Sequence, residues 1–207
     1  TPPTYVVPSM LVGRVENLLD AFRALDDSDL AVTIQGADPG ERIDIGKRRI
    51  VRPLTAFHPV ACQGYAVLEL RKQLREDLQG ADSSVVRDAR ARGEEITSES
   101  EHPLVVFSGD TKIEFIEHNE LARKADLLIM EVTFIDDRVG VESARKNGHI
   151  HLDEVIERAE LFENKEILFT HLSARYRQSE ALEILERRLP ESLKERVTLL
   201  PRPHWCH

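Results

Sequence analysis

Three short apolar runs in the second half of the chain each stop at a residue that can bind a cation or move a proton. Leu104-Val105-Val106-Phe107 leads into Ser108-Gly109-Asp110-Thr111, Leu127-Leu128-Ile129-Met130 leads into Glu131, and Ile167-Leu168-Phe169 leads into Thr170-His171. Two carboxylates and an imidazole delivered to one place suit a divalent cation, or a general acid paired with a base. In α/β sheets ligands gather beyond the carboxyl ends of the strands, so the spacing itself points to a metal or acid/base site. Taken singly, each of these residues is also what an ordinary strand-to-loop transition carries.

The elements that must position them alternate. Strands Leu104–Phe107, Asp126–Met130 and Glu166–Phe169 are continuous apolar runs separated by helical stretches over 113–124, 139–146, 151–163 and 178–189. Continuous apolar strands between helices indicate a sheet covered on both faces. The first half reads differently. Leu11, Val15, Leu18, Leu19, Phe22 and Leu25 recur at helical spacing, and β-prone stretches follow at Leu30–Ile34, Glu41–Ile45, Arg48–Phe57 and Gln63–Leu70, with turns at Asp38-Pro39-Gly40 and Gly46-Lys47. Antiparallel pairing is the simplest expectation for them. Arg71 to Gly93 predicts two short surface helices and Glu94 to His102 a polar loop. Tyr5-Val6-Val7 is a strand-prone run with no upstream element to pair with.

The chain has 207 residues, with 28 Lys and Arg against 37 Asp and Glu, a net charge of −9. That length supports one domain with a real core, and the acidic balance argues against a grip on nucleic acid driven by overall charge. No apolar run is long enough for a membrane span and no signal peptide is readable. The two cysteines, Cys62 and Cys206, form no metal-binding or disulfide pattern, so the expected compartment is the cytoplasm.

Read in order, Phe107-Ser108-Gly109-Asp110-Thr111, Glu131-Val132-Thr133-Phe134, Gly148-His149 and Thr170-His171-Leu172-Ser173-Ala174-Arg175-Tyr176 resemble the later motifs of ribonuclease Z, the tRNA 3′-processing branch of the metallo-β-lactamase superfamily. Thr55-Ala56-Phe57-His58-Pro59-Val60, followed by Gly64-Tyr65, resembles that family's preceding histidine motif, and the Arg71-to-Leu74 stretch resembles its short plant-type and bacterial forms. The resemblance implies an αββα sandwich of metallo-β-lactamase type. It implies that Asp110 bridges two zinc ions, with His58 a ligand of the first and His171 of the second. A water between two metals about 3.5–4 Å apart then ionises near neutral pH and attacks phosphorus in line. By the same resemblance His149, 22 residues before His171, donates a proton to the leaving 3′ oxygen. Glu131 orients it, and Ser173, Arg175 and Tyr176 are placed to hold the phosphate, Arg175 because a guanidinium forks onto two oxygens; the alternative for Arg175 and Tyr176 is that they cap and pack the loop after the strand.

His149-Ile150-His151-Leu152-Asp153-Glu154 imitates the superfamily's primary H-x-H-x-D-H motif, but it follows Asp110 instead of preceding His58 and ends on Glu154. It is better read as the proton-donor loop, with His151 structural and Asp153 near a helix start. The true H-x-H-x-D-H does not occur in these residues. The expectation is therefore a single domain over 1–207 that is the N-terminally incomplete last two-thirds of the fold, weak in zinc by itself, with 71–102 as a helical insertion. Arg71, Lys72, Arg75, Arg87, Arg90 and Arg92 on that insertion offer a basic face to phosphates or a merely solvated one. His102, His118, His204 and His207 are expected to be solvated. Three functions follow: a homodimeric zinc phosphodiesterase cutting precursor tRNA, a hydrolase of small phosphodiesters or other esters on the same fold, or a non-catalytic partner.

Overall fold

The structure, a computed structural model, describes residues 2–26 and 29–200; Cys206, His204 and His207 lie outside the described residues. Its strands are β1 (Thr4–Val7), β2 (Thr33–Gly36), β3 (Ile43–Gly46), β4 (Arg49–Thr55), β5 (Gln63–Leu74), β6 (Thr97–Phe107), β7 (Leu127–Glu131), β8 (Glu166–Thr170) and β9 (Val197–Leu199). Its helices are α1 (Val12–Asp26), α2 (Ser83–Ala91), α3 (Glu114–His118), α4 (Glu120–Lys124), α5 (Val141–Asn147), α6 (Leu152–Glu157), α7 (Gln178–Arg188) and α8 (Glu191–Lys194).

Strands β3 to β9 form a seven-stranded sheet in chain order, antiparallel from β3 to β6 and parallel from β6 to β9. One face is fully apolar: Ile50, Leu68, Val106, Leu128, Met130 and Phe169 are at most 1% exposed and share a core with Phe115, Ala144, Val155, Ala181 and Leu193 from the covering helices. Burial of this kind is worth about 1.5–3 kcal/mol per large side chain. Gly64 permits the closest approach, since a Cβ there would lie 2.6 Å from the Phe115 ring. On the other face, the Tyr65 hydroxyl donates to the Val6 carbonyl at 2.6 Å and so ties β1 to the sheet. No helix among the described residues is long and apolar enough to cross a membrane.

The first strand departs from expectation. β1 pairs in parallel with β2, with Thr4 opposite Thr33 and Val7 opposite Gly36, so its partner lies downstream and β2 belongs to a separate two-stranded sheet. The reason is α1: a helical crossover returns the chain in the same direction, as parallel pairing requires.

The 71–102 segment also differs from the expected helices and loop. β5 continues to Leu74 and pairs with Thr97–Glu101, and the only α-helix in the segment is α2 at the tip. Leu78, Ala89 and Ile96 form a small core there, separate from the main one. The ribbon was hidden from periodicity because it is wet on both faces; its strands are held by the hydrogen-bond ladder and by cross-strand charge, such as Lys72 opposite Glu99. The register shifts between Val67 and Leu68, which face Val105 and Pro103, so Leu104 bulges at the base of the arm. Of the basic residues, Arg71, Arg75 and Arg92 are paired with Glu69, Asp77 and Glu94.

His102, expected in solvent, is half-buried and 2.9 Å from Asp126, whose other oxygen pairs with Lys165 at 2.8 Å. The Lys165 and His102 hydrogen bonds lower the Asp126 pKa from 3.8 to about 2. A depressed carboxylate contributes stability that is complete above its unfolded pKa and lost as pH falls through the folded one. Thermal melts from pH 5 down to pH 2 should show this loss in the native protein and a flatter profile for Asp126→Asn across the same window.

Candidate functional site

The parallel strands β6, β7 and β8 end at one edge of the sheet, and β4, running the same way, ends beside them, so Asp110, Glu131, His171 and His58 arrive together. Glu131 is the innermost, at 1% exposure. Its Oε1 accepts from the Thr111 amide at 3.1 Å and faces His149 Nδ1 at 2.9 Å; its Oε2 accepts from the Thr133 hydroxyl at 2.7 Å and from the Ile150 amide at 3.3 Å. A carboxylate has about four acceptor sites, and all four are used here. The backbone amides can only donate, so Glu131 acts throughout as acceptor and His149 Nδ1 carries the proton toward it. That leaves His149 Nε2 as the atom turned to the site. Glu131 itself has no lone pair left for a cation.

The loops bearing His58 and Asp110 are laced to one another. The Phe57 amide donates to Thr111 Oγ1 at 2.8 Å and the Lys112 amide donates to the Phe57 carbonyl at 3.1 Å. Cys62 donates its thiol to the Asp110 carbonyl at 3.2 Å, and burial raises its pKa. His58 is held through Nδ1, which lies 3.1 Å from the Val60 amide and 3.3 Å from its carbonyl. Gly148 lets the His149 loop reach it: its φ of 87° is left-handed, and a Cβ would stand 2.6 Å from His58 Cδ2.

His171 adopts φ 57°, rare for a residue with a side chain, and its ring stacks on His149 with centroids 5.0 Å apart. Its Nε2 lies 3.6 Å from Asp110 Oδ2. Ligand atoms of His58, Asp110 and His149 fall within 4.8 Å of one another, as do those of Glu131, His149 and His171. Asp110 thus has His58 within ligand-pair reach and His171 Nε2 at 3.6 Å, and a half-exposed carboxylate beside imidazoles is a donor set suited to a divalent transition metal.

The remaining expected residues divide. Arg175 is exposed on the loop after β8, and its amide lies 3.4 Å from Ser173 Oγ. Tyr176 is not available for phosphate: it is 1% exposed, its hydroxyl donates to Asp136 Oδ1 at 3.1 Å and accepts from the Ile135 amide at 3.3 Å, and Arg138 lies over its ring. It fastens the loop after β7 beneath the site. His151 is structural, as expected: buried, it caps α6 by accepting from the Asp153 amide, while Nε2 faces the Asp136 carbonyl. Thr111 and Thr133, both buried connectors, had no role assigned from sequence although each sits inside a motif. Their position two residues or fewer from a candidate ligand or carboxylate was the available signal.

Gly148→Ala should cost about 1–3 kcal/mol in urea unfolding through the left-handed backbone and should weaken divalent-cation binding as the His58 ring is pushed away.

No family model matches the chain. Among curated proteins it is 41% identical over 201 residues to tRNase Z TRZ1 of Arabidopsis thaliana, a match covering 96% of this chain and 71% of that protein. It is 32% identical over 184 residues to the chloroplastic tRNase Z TRZ2 of the same plant, covering 88% of this chain and 52% of the relative. Among solved structures, the metallo-β-lactamase fold protein YhfI of Bacillus subtilis superposes with a TM-score of 0.51 at 18% identity, over 89% of this chain and 60% of that one. The likeness of structure establishes the fold and the likeness of sequence the lineage: the chain belongs to the ribonuclease Z (tRNase Z) family, metal-dependent hydrolases built on the metallo-β-lactamase sandwich.

Proposed function

We propose that the protein is a zinc-dependent endoribonuclease that removes the 3′ trailer from precursor tRNA, working as a homodimer in the cytoplasm. The carrying observation is the Glu131–His149 pair, 2.9 Å apart, with His149 placed within 4.8 Å ligand-atom reach of His58 and Asp110 as one group and of Glu131 and His171 as another. The names of the plant relatives support the substrate, the family resemblance supports the dimer, and the sparse, unpatterned cysteines support the compartment.

In this reading His58 and Asp110 hold one zinc, and Asp110 and His171 a second. Bound there, zinc supplies a Lewis acid that polarises the phosphate and makes water acidic. The protein's own groups do the rest. Glu131, as acceptor for His149 Nδ1–H, fixes the ring so that its doubly protonated form can hand the Nε2 proton to the departing 3′ oxygen and return to the neutral Nδ1–H tautomer. Ser173 and Arg175 line the approach after β8, and the Arg175 guanidinium suits two phosphate oxygens. One observation favours a second reading, hydrolysis of small phosphodiesters or other esters: three of the arm's cations are already matched by neighbouring carboxylates, which lessens its pull on a polyanion.

Full-length protein with zinc should cut a trailer-bearing tRNA to leave a 3′ hydroxyl. His149→Ala should lower kcat about 10²–10⁴-fold with cation binding retained. Asp110→Ala should lose cleavage and cation binding together. Cleavage of a model phosphodiester with tRNA left intact would transfer the assignment to the second reading. Sedimentation mass tests the dimer.

A further inference from the structure

We infer that Thr133 is a positioning residue that sets the tautomer of His171 and thereby presents its Nε2 lone pair to the site. Its hydroxyl has one proton and two neighbours: Glu131 Oε2 at 2.7 Å and His171 Nδ1 at 2.8 Å. Glu131 accepts from the Thr111 and Ile150 amides, groups with no other option, so the hydroxyl proton goes to Glu131. The threonine oxygen then has only lone pairs to offer His171, and the neutral imidazole meets it with Nδ1–H. The lone pair is left on Nε2, the atom 3.6 Å from Asp110 Oδ2.

This ordering opposes an unconstrained imidazole, whose neutral form prefers Nε2–H. It is also backed by the main chain. The Thr133 amide donates to the Ile150 carbonyl at 3.2 Å and its carbonyl accepts from the Ser173 amide at 3.0 Å, so the residue is fixed between the His149 loop and the His171 loop. At 6% exposure, water has little access to replace the hydroxyl. One proton chain, from His171 through the buried Thr133 to Glu131, meets a second from His149 on the same carboxylate. The two rings thus take the same tautomer from a common acceptor. The tautomer stands independently of substrate; its consequence for cation affinity rests on His171 being a ligand, as proposed above.

The test is the nitrogen spectrum of the imidazoles in metal-free full-length protein at pH 8.5, where neutral rings report which nitrogen carries the proton. The native protein should show His171 as Nδ1–H, Thr133→Val should shift it toward Nε2–H, and Thr133→Ser should restore the native pattern. Zinc titration should follow, with affinity reduced about 10–100-fold in Thr133→Val and within about threefold of native in Thr133→Ser. An unchanged His171 tautomer in folded Thr133→Val overturns the inference, as does a serine variant that behaves like valine. Should valine not fold, Thr133→Ala against Thr133→Ser makes the same comparison. A tautomer change with no zinc binding in any variant upholds the inference and overturns the metal reading instead.

Discussion

A carboxylate sealed from water is costly unless each of its lone pairs is met. Glu131 is sealed, and it is met by four groups from three segments: the loop after β6 through Thr111, the loop after β7 through Thr133, and the α5–α6 connection through both His149 and Ile150. The penalty for leaving any of these unmade couples the loops to one another. Thr111 passes the constraint on to Phe57 and the His58 loop, and Thr133 passes it to His171. The sheet brings four strand ends to one edge, and this carboxylate turns that proximity into fixed geometry.

The site is consequently layered by burial. Glu131, Thr111 and Thr133 lie beneath, with every polar atom on their side chains engaged, whereas Asp110 and His171 stand above them with side chains 44% and 45% exposed. Groups that meet a cation or substrate have to be reachable, and groups that aim them have to be dry so that their hydrogen bonds are not exchanged for water. Tyr176 belongs to the lower layer for the same reason: its ring and hydroxyl secure the 135–138 loop instead of facing the solvent.

Much of this was legible in the residues because burial leaves a pattern. The continuous apolar runs at 104–107, 127–130 and 166–169 announced strands covered by helices, and the polar residue ending each run announced the site. Elements stabilised without burial left no such trace. The ribbon over 70–74 and 97–101 reads as charged helix or loop because nothing on it alternates, and β9, three residues long, is too short to show a period. The partner of β1 was misread because pairing across a helical crossover is a relation between distant segments, invisible in either alone. Thr133 was hidden for a different reason: a threonine beside a strand end is commonplace, and only the two distances to its hydroxyl distinguish it.

A few residues beyond the bulge at Leu104, where the β4 pairing ends at Glu69, β5 and β6 pass from a portion locked into the sheet to a portion paired to each other alone, Arg71–Leu74 against Thr97–Ser100. Beyond that point the chain is a two-stranded ladder whose residues stand outside the main core. Inserting two residues into each strand would carry α2 outward by about 7 Å while keeping the same faces inward and outward, and the loops around Glu131 would register no change. Reach is thus an adjustable quantity in this architecture, open to evolutionary drift in even steps, whereas the chemistry at the strand ends is held to fractions of an ångström.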